Sequence, residues 1–189
     1  MIRAVEKVRE RLRRAVEALE AARVPYAVAG GNAVAAWVSR VDEAAVRNTR
    51  DVDILLRRVD LAAARAALEA AGFVYRRVSS LSKKGSLELF LDGPGASARD
   101  AVHVVFASEK VNPESPVPSP DVTESEAGDQ FRLVTLAALV RMKLAAFRDK
   151  DRTHVRDLID VGLVGADALD SLPSELRPRL TALLETPEG

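Results

Sequence analysis

Apolar residues recur at helical spacing along the first 22 positions of the chain. Val5, Val8, Leu12, Val16 and Leu19 would share one helix face, because positions three or four apart lie on the same side of an α-helix. Charged residues occupy most positions between them, which is typical of a helix with one buried and one solvated face. The sequence therefore predicts an amphipathic helix at the N-terminus.

The pattern then changes to short apolar runs separated by polar segments and glycines. Such runs predict buried β-strands when turn residues flank them. They occur at residues 26–29, 51–56, 73–76, 87–91 and 101–106, with helices expected at 32–39 and between Asp60 and Gly72. The run at 101–106 is almost entirely apolar, which indicates a central strand.

Residues 112–130 follow neither pattern and contain four prolines. Proline favours a connecting loop over a strand, because it lacks the backbone N–H that pairs in a sheet. Beyond this segment the helical pattern returns, at 132–147, at 154–161 and after Pro173. We therefore predict an α+β fold with a mixed β-sheet flanked by helices. Its parts are a core at 1–111, a connecting loop at 112–130, and a helical C-terminal part at 131–189 that packs on the core.

Composition narrows the possible functions. The chain has 189 residues, no cysteine, and 28 basic residues against 28 acidic ones. This balance argues against nucleic acid as the main partner, since duplex-binding proteins more often carry a basic excess. No apolar run is long enough for a transmembrane helix, and the N-terminus lacks the apolar segment of a signal peptide. We therefore expect a cytoplasmic protein without membrane contact or disulfides.

Two aspartates define the first candidate site. Asp51 and Asp53 are two residues apart on a predicted strand, so their side chains project from the same face. Neighbouring carboxylates repel each other unless a cation lies between them, and hard oxygen ligands suit Mg²⁺ or Mn²⁺. The alternative is a solvated acid pair at a strand end, and a second Asp-x-Asp occurs at Asp149 and Asp151.

Glycines precede this acid pair in the chain. Gly30 and Gly31 end the first predicted strand and lead into a helix that begins at Asn32. Glycine lets a backbone approach phosphates closely, and a helix N-terminus supplies unpaired N–H donors. An ordinary strand-to-helix turn is the alternative. Asn32 is a further candidate for nucleotide contact, and three more lie just before the acids: Arg47, Thr49 and Arg50.

These elements together resemble the nucleotidyltransferase superfamily of polymerase-β-like folds. The order is a strand, Gly-Gly, a helix, and then Arg-x-Thr-Arg-Asp-Val-Asp on the next strand. The run RNTRDVDILL is most similar to the abortive-infection toxin nucleotidyltransferases and their bacterial relatives. The resemblance covers about residues 24–107. It implies that the glycine pair binds a nucleoside triphosphate and that Asp51 and Asp53 hold metal.

A basic block in the C-terminal half adds three cationic candidates: Lys143, Arg148 and Lys150. The resemblance extends to this lysine-bearing helix. Lys143 and Lys150 would lie near one face if a single helix continued through both. Cations there would neutralise triphosphate charge, and we expect the ligand to be the main partner of Lys143. An exposed amphipathic helix with i,i+4 pairs is the alternative.

The resemblance is incomplete at the catalytic base. Superfamily members that transfer nucleotides usually carry a third acid on a later strand, and His103 occupies the matching place here. A neutral histidine can act as a base near pH 7. The alternatives are a core histidine bonded to a neighbour, or another acid such as Glu88 or Asp100. Strand alternation places His103 on the face opposite to Val102 and Val104, and we expect it to share a cleft with the acid pair.

The sequence thus predicts an enzyme that binds a metal nucleoside triphosphate and transfers a nucleotidyl group to an acceptor. The acceptor class stays open between RNA, a protein hydroxyl and a small molecule. One alternative is a catalytically weak nucleotide-binding module that regulates or partners another protein in a toxin–antitoxin pair. Another is an interaction domain that keeps the fold without a ligand. Two carboxylates suffice to bind a metal nucleotide, whereas transfer also needs a base for the acceptor.

Overall fold

The amphipathic N-terminal pattern forms helix α1, Ile2–Ala21, in the computed structural model, which describes residues 2–80 and 85–186. Its apolar face is buried, with Leu12 and Leu19 among the core residues. The elements that follow are β1 (Ala27–Ala29), α2 (Gly30–Ser39), β2 (Val52–Leu56), α3 (Leu61–Ala70), β3 (Val74–Ser80), β4 (Gly85–Leu91) and β5 (Ala101–Phe106). Each predicted element of this half is therefore present, with ends shifted by a few residues.

The second half continues with two strands before its helices. The elements are β6 (Ser125–Ala127), β7 (Arg132–Val134), α4 (Leu136–Ala146), α5 (Asp149–Asp160), α6 (Ala168–Ser171) and α7 (Arg177–Glu185). The prediction that 112–130 holds no strand was wrong at its end, and the helix predicted from Arg132 begins only at Leu136. Both strands have three residues, too few for an alternating pattern to be recognised in the sequence.

The strands form one mixed sheet in the order β3-β4-β5-β2-β1-β7-β6. Central β2 is antiparallel to β1 and parallel to β5, and β7 extends the sheet by pairing parallel to β1. In this register Ala29 and His103 both lie opposite Asp53. The α+β prediction is confirmed, and the sheet brings the Gly-Gly turn, the acid pair and His103 to one place.

Helices cover the two faces of the sheet with different cores. Helices α1 and α3 pack on the face that contains Val52, Ile54 and Val104. Helices α2, α4, α5 and α7 pack on the face that contains Ala29 and Leu55. Because successive strand residues alternate between faces, Asp53 belongs to the second face, beneath the C-terminal helices. A bilayer-spanning helix is absent from residues 2–80 and 85–186, since none combines the necessary length with the necessary apolar character.

The chain changes direction sharply between the end of α4 and the start of α5. Phe147 adopts a left-handed conformation with φ of 49°, and its N–H donates to the Lys143 carbonyl at the end of α4. The single continuous helix considered for this region is therefore wrong. Lys143 lies on α4 and Lys150 on α5, so their relative position is set by this turn rather than by helical spacing.

Candidate nucleotide and metal site

The acid pair lies where β2 begins, and its two carboxylates have different surroundings. Burial raises the pKa of Asp53, although its side chain remains 23% exposed. Burial also acts to raise the pKa of Asp51, but nearby cations together lower it, first among them Lys150, whose Nζ is 3.0 Å from Asp51 Oδ2. Asp51 is therefore readily ionised, whereas burial disfavours the ionised form of Asp53. A bound cation would stabilise both carboxylates in their ionised form.

The Gly-Gly turn packs directly against Asp53. Gly30 has φ of +65°, and a Cβ added there would overlap the Asp53 carboxylate. A Cβ on Gly31 would lie 2.6 Å from Thr49 Oγ1. Asn32 Nδ2 donates to the Asp51 carbonyl at 2.7 Å, which ties the first turn of α2 to the start of β2. Both the positive φ and the packing on Asp53 therefore favour glycine at position 30, whereas Gly31 packs on the Thr49 side chain.

A Gly30→Ala variant is expected to lose metal-dependent triphosphate binding. An L-residue in the left-handed region costs about 1–2 kcal/mol, and the new methyl group must also displace Asp53. Gly72→Ala is the matched control, since Gly72 has φ of +88° but no atom within 4 Å of an added Cβ. Thermal unfolding should show a larger loss for Gly30→Ala, and calorimetric titration should show that only Gly72→Ala still binds. Equal behaviour of the two variants would contradict the close packing of Gly30 on Asp53.

His103 lies on the same face as Asp53, with its Nδ1 3.9 Å from Asp53 Oδ1. Its Nε2 is 3.2 Å from the Ala98 carbonyl in the β4–β5 loop. A carbonyl oxygen only accepts hydrogen bonds, so Nε2 carries the hydrogen in this contact. In a neutral ring the Nδ1 lone pair then faces the acid pair, in the state that accepts a proton.

The two other candidate acids lie elsewhere. Glu88 accepts a hydrogen bond from the Tyr75 hydroxyl at 2.5 Å and pairs with Arg77. Asp100 pairs with Arg11 of α1 at 3.1 Å. Glu88 shares a strand face with buried Phe90, which packs on the α1 side of the sheet. Neither acid therefore lies beside Asp53.

The cations predicted on the C-terminal helices approach the acid pair to different degrees. Lys150 pairs with Asp51 directly. Lys143 is buried, with Nζ 3.2 Å from Asp151 Oδ1, and Arg148 donates through Nε to Asp151 Oδ2 at 2.6 Å. Burial lowers the pKa of Lys143 against the opposing charges of Asp151 and Asp53. Asp151 is therefore a partner of Lys143 within the protein, and the expected contact of Lys143 with a ligand stays a prediction.

The cations predicted just before the acid pair do not contact it. Arg47 Nε donates to Asp157 Oδ1 of α5 at 2.8 Å. Arg50 is exposed and makes no hydrogen bond or ion pair with the residues that the structure describes. The Arg47–Asp157 pair and the Lys150–Asp51 pair together attach the segment before β2 to α5.

Three residues of α5 that lie near the site were not predicted as site residues: Asp151, Asp157 and His154. Asp151 was noted only as part of a second Asp-x-Asp, and Asp157 had no sequence signal beyond lying in the basic block. Burial and then the charge of Lys143 lower the pKa of His154 to about 4, and its buried Nδ1 has no partner among the described residues. A spacing of eight residues does not by itself predict a contact between Lys143 and Asp151. The contact depends on the turn at Phe147, which the sequence analysis did not predict.

The donor set fits a metal that is shared with a phosphate ligand. No group of three His, Asp or Glu side chains within residues 2–80 and 85–186 is placed to hold a metal alone. Two carboxylates on one strand face do match Mg²⁺, which is usually bound by one or two carboxylates together with substrate phosphates and water. Asp51 and Asp53 are the residues that would hold it.

Comparison with solved structures identifies the fold as that of the nucleotidyltransferases. The antibiotic-resistance factor ANT(2'')-Ia superposes with a TM-score of 0.55 at 18% identity, over 96% of this chain and 95% of that one. An H. pylori protein described as a nucleotidyltransferase gives 0.54 at 12% identity, over 97% and 80%. No curated protein matches by sequence. The family model of the nucleotidyl transferase AbiEii toxin, from type IV toxin–antitoxin systems, matches residues 11–186, and the chain belongs to this family.

Proposed function

We propose that this chain is an enzyme that binds a nucleoside triphosphate with Mg²⁺ or Mn²⁺ and transfers a nucleotidyl group to an acceptor hydroxyl. Membership of the AbiEii family supports nucleotidyl transfer. The observation that carries the proposal is the packing of Gly30 on Asp53. The Gly-Gly turn, which would bind the phosphates, lies directly against Asp53, one of the two acids that would hold the metal.

Different surrounding residues would contact the phosphates and neutralise their charge. The N–H groups at the start of α2 would donate to phosphate oxygens, since a helix N-terminus favours anions. Lys143, Arg148 and Lys150 would offset triphosphate charge from the side of α4 and α5. Lys150 would exchange its Asp51 partner for a phosphate when the acids bind metal. The metal would supply further charge neutralisation at the phosphates.

His103 would accept the proton in the transfer step. The acceptor oxygen forms a bond to the α-phosphorus, the bond from that phosphorus to the bridging oxygen breaks, and pyrophosphate leaves. The hydroxyl proton passes to Nδ1 of His103, because the Ala98 carbonyl occupies the Nε2–H side of the ring. The acceptor is a hydroxyl of RNA, of a protein or of a small molecule.

A second candidate function is a nucleotide-binding member of a toxin–antitoxin pair with weak catalysis. The observation that favours it is the strand position opposite Asp53. That position holds a histidine, and neither Glu88 nor Asp100 lies beside Asp53 to replace a third carboxylate. The two candidates share the binding site and differ in turnover.

A thermal-unfolding panel of ATP, GTP, CTP and UTP, each with and without Mg²⁺ or Mn²⁺, tests the proposed binding. A ligand of the folded state adds about 2.7 kcal/mol of stability at a hundred times its dissociation constant. We expect at least one triphosphate to give such a shift only when metal is present. The absence of any shift with all four would overturn the proposal and favour an interaction domain. Pyrophosphate release in the presence of RNA, protein or small-molecule acceptors then separates the enzyme from the weak catalyst.

A further inference from the structure

Asp151 is a buried carboxylate to which the proposed reaction gives no role. Its side chain is 1% exposed, whereas that of Asp149, two residues earlier on α5, is 93% exposed and pairs with Arg152. Taking a carboxylate out of water is costly unless cations or N–H donors compensate. The two acids of this Asp-x-Asp therefore differ in burial: Asp151 lies in the interior and Asp149 on the surface.

Asp151 contacts one cation before and one cation after the turn at Phe147. Lys143, at 3.2 Å, comes from α4 and is itself buried. Arg148, at the start of α5, donates through Nε at 2.6 Å and through its backbone N–H at 3.4 Å. Without Asp151, Lys143 would be a buried ammonium without its hydrogen-bonded carboxylate, and Arg148 would lose the contact that fixes its guanidinium.

The geometry places both cations near the acid pair, because Lys150, next to Asp151 on α5, pairs with Asp51 at 3.0 Å, while Lys143 and Arg148 bond Asp151 itself. Burial is the strongest influence on the pKa of Asp53 and of Asp51 and acts to raise both. The charge of Lys143 opposes this at Asp53, and the charge of Arg148 opposes it at Asp51. Asp151 therefore holds two cations beside the place where a triphosphate would bind.

We propose that Asp151 is a positioning residue that directs Lys143 and Arg148 towards the triphosphate, an inference that rests on the proposed function. This role and charge repulsion alone predict opposite effects of removing Asp151 on triphosphate affinity. Removing a carboxylate near a polyphosphate reduces repulsion and should tighten binding. If Asp151 positions the cations, its removal weakens binding instead, because the cations then leave the phosphates.

The test compares Asp151→Asn with Asp149→Asn, which removes the same charge from an exposed position on the same helix. Asparagine keeps the size of aspartate and an oxygen that accepts the Arg148 N–H. ATP, GTP, CTP and UTP are titrated calorimetrically with Mg²⁺, each against its monophosphate. We expect Asp151→Asn to weaken triphosphate binding about tenfold or more, as for loss of a charge-assisted contact, with a smaller change for the monophosphate. Asp149→Asn should match the wild type.

Triphosphate binding by Asp151→Asn that is as tight as that of Asp149→Asn, or tighter, would overturn the inference and leave the proposed function intact. A wild type that binds no triphosphate would overturn the proposed function itself and the inference with it. If Asp151→Asn does not fold, Lys143→Met combined with Asp151→Asn removes the buried pair together. That variant should bind triphosphate no better than Lys143→Met alone, and better binding would overturn the inference.

Discussion

Replacing Asp51 and Asp53 together by asparagine is expected to abolish the metal-dependent part of triphosphate binding. Asp53 lies on β2 and packs against Gly30, and Asp51 directly precedes that strand, two residues away. The stability gained by the wild type with metal and triphosphate, about 2.7 kcal/mol at a hundred times the dissociation constant, should therefore disappear. Thermal unfolding with and without Mg²⁺ measures the difference. Equal responses of the double variant and the wild type would place the metal site elsewhere.

The ligand-free Asp53→Asn variant is the control for folding. Burial raises the pKa of Asp53, so its proton is bound more readily in the folded state than in the unfolded chain. The stability from this group is present below the ordinary carboxyl pKa and is lost as pH rises through the raised value. Asparagine carries no charge to bury, so the variant should melt higher than the wild type at neutral pH without ligand.

Replacing His103 by alanine is expected to lower turnover about 10²–10⁴-fold while nucleotide binding survives. Loss of a general base has an effect of this size. Nucleotide affinity should persist because, among the described residues, His103 makes no hydrogen bond with the Gly-Gly turn or with the cations of α4 and α5. Pyrophosphate release measures turnover, and calorimetric titration of the same preparation measures binding.

His103→Asp separates the two candidate functions. If the wild type turns over near background, the site lacks an effective base, and a third carboxylate opposite Asp53 should tighten metal binding. If the wild type is active, aspartate should retain more turnover than alanine. Unchanged turnover in His103→Ala would remove His103 from the reaction and leave the base to another group.

The local features of the site follow from the sequence, whereas its long-range pairs do not. Strand alternation is enough to place Asp51 and Asp53 on one face and His103 opposite Val102 and Val104. The adjacency of Gly30, Asp53 and His103 depends on the strand order β5-β2-β1, which alternation does not determine. The adjacency of these residues could be expected only from the family resemblance, because the pattern of apolar and polar residues does not determine the strand order.

The structure differs from the predictions where the chain gives no local signal. Phe147 makes the left-handed turn that brings Asp151 to Lys143, although glycine is the usual residue for such a turn. Arg47 and Asp157 are 110 residues apart, and their pairing depends on how α5 packs. Strands β6 and β7 have three residues each, so their pairing in the sheet defines them rather than alternation: β7 pairs with β1, and β6 pairs with β7.

The position of β7 has a consequence for biosynthesis. During translation β1, β2 and β5 leave the ribosome first, and the edge of β1 stays unpaired until Leu133 arrives opposite Val28. Lys150, which is 99 residues after Asp51, follows later still. An unfinished chain thus offers an open sheet edge and an acid pair without cations. We expect such an unfinished chain to be prone to self-association until the residues that form β7 have been made.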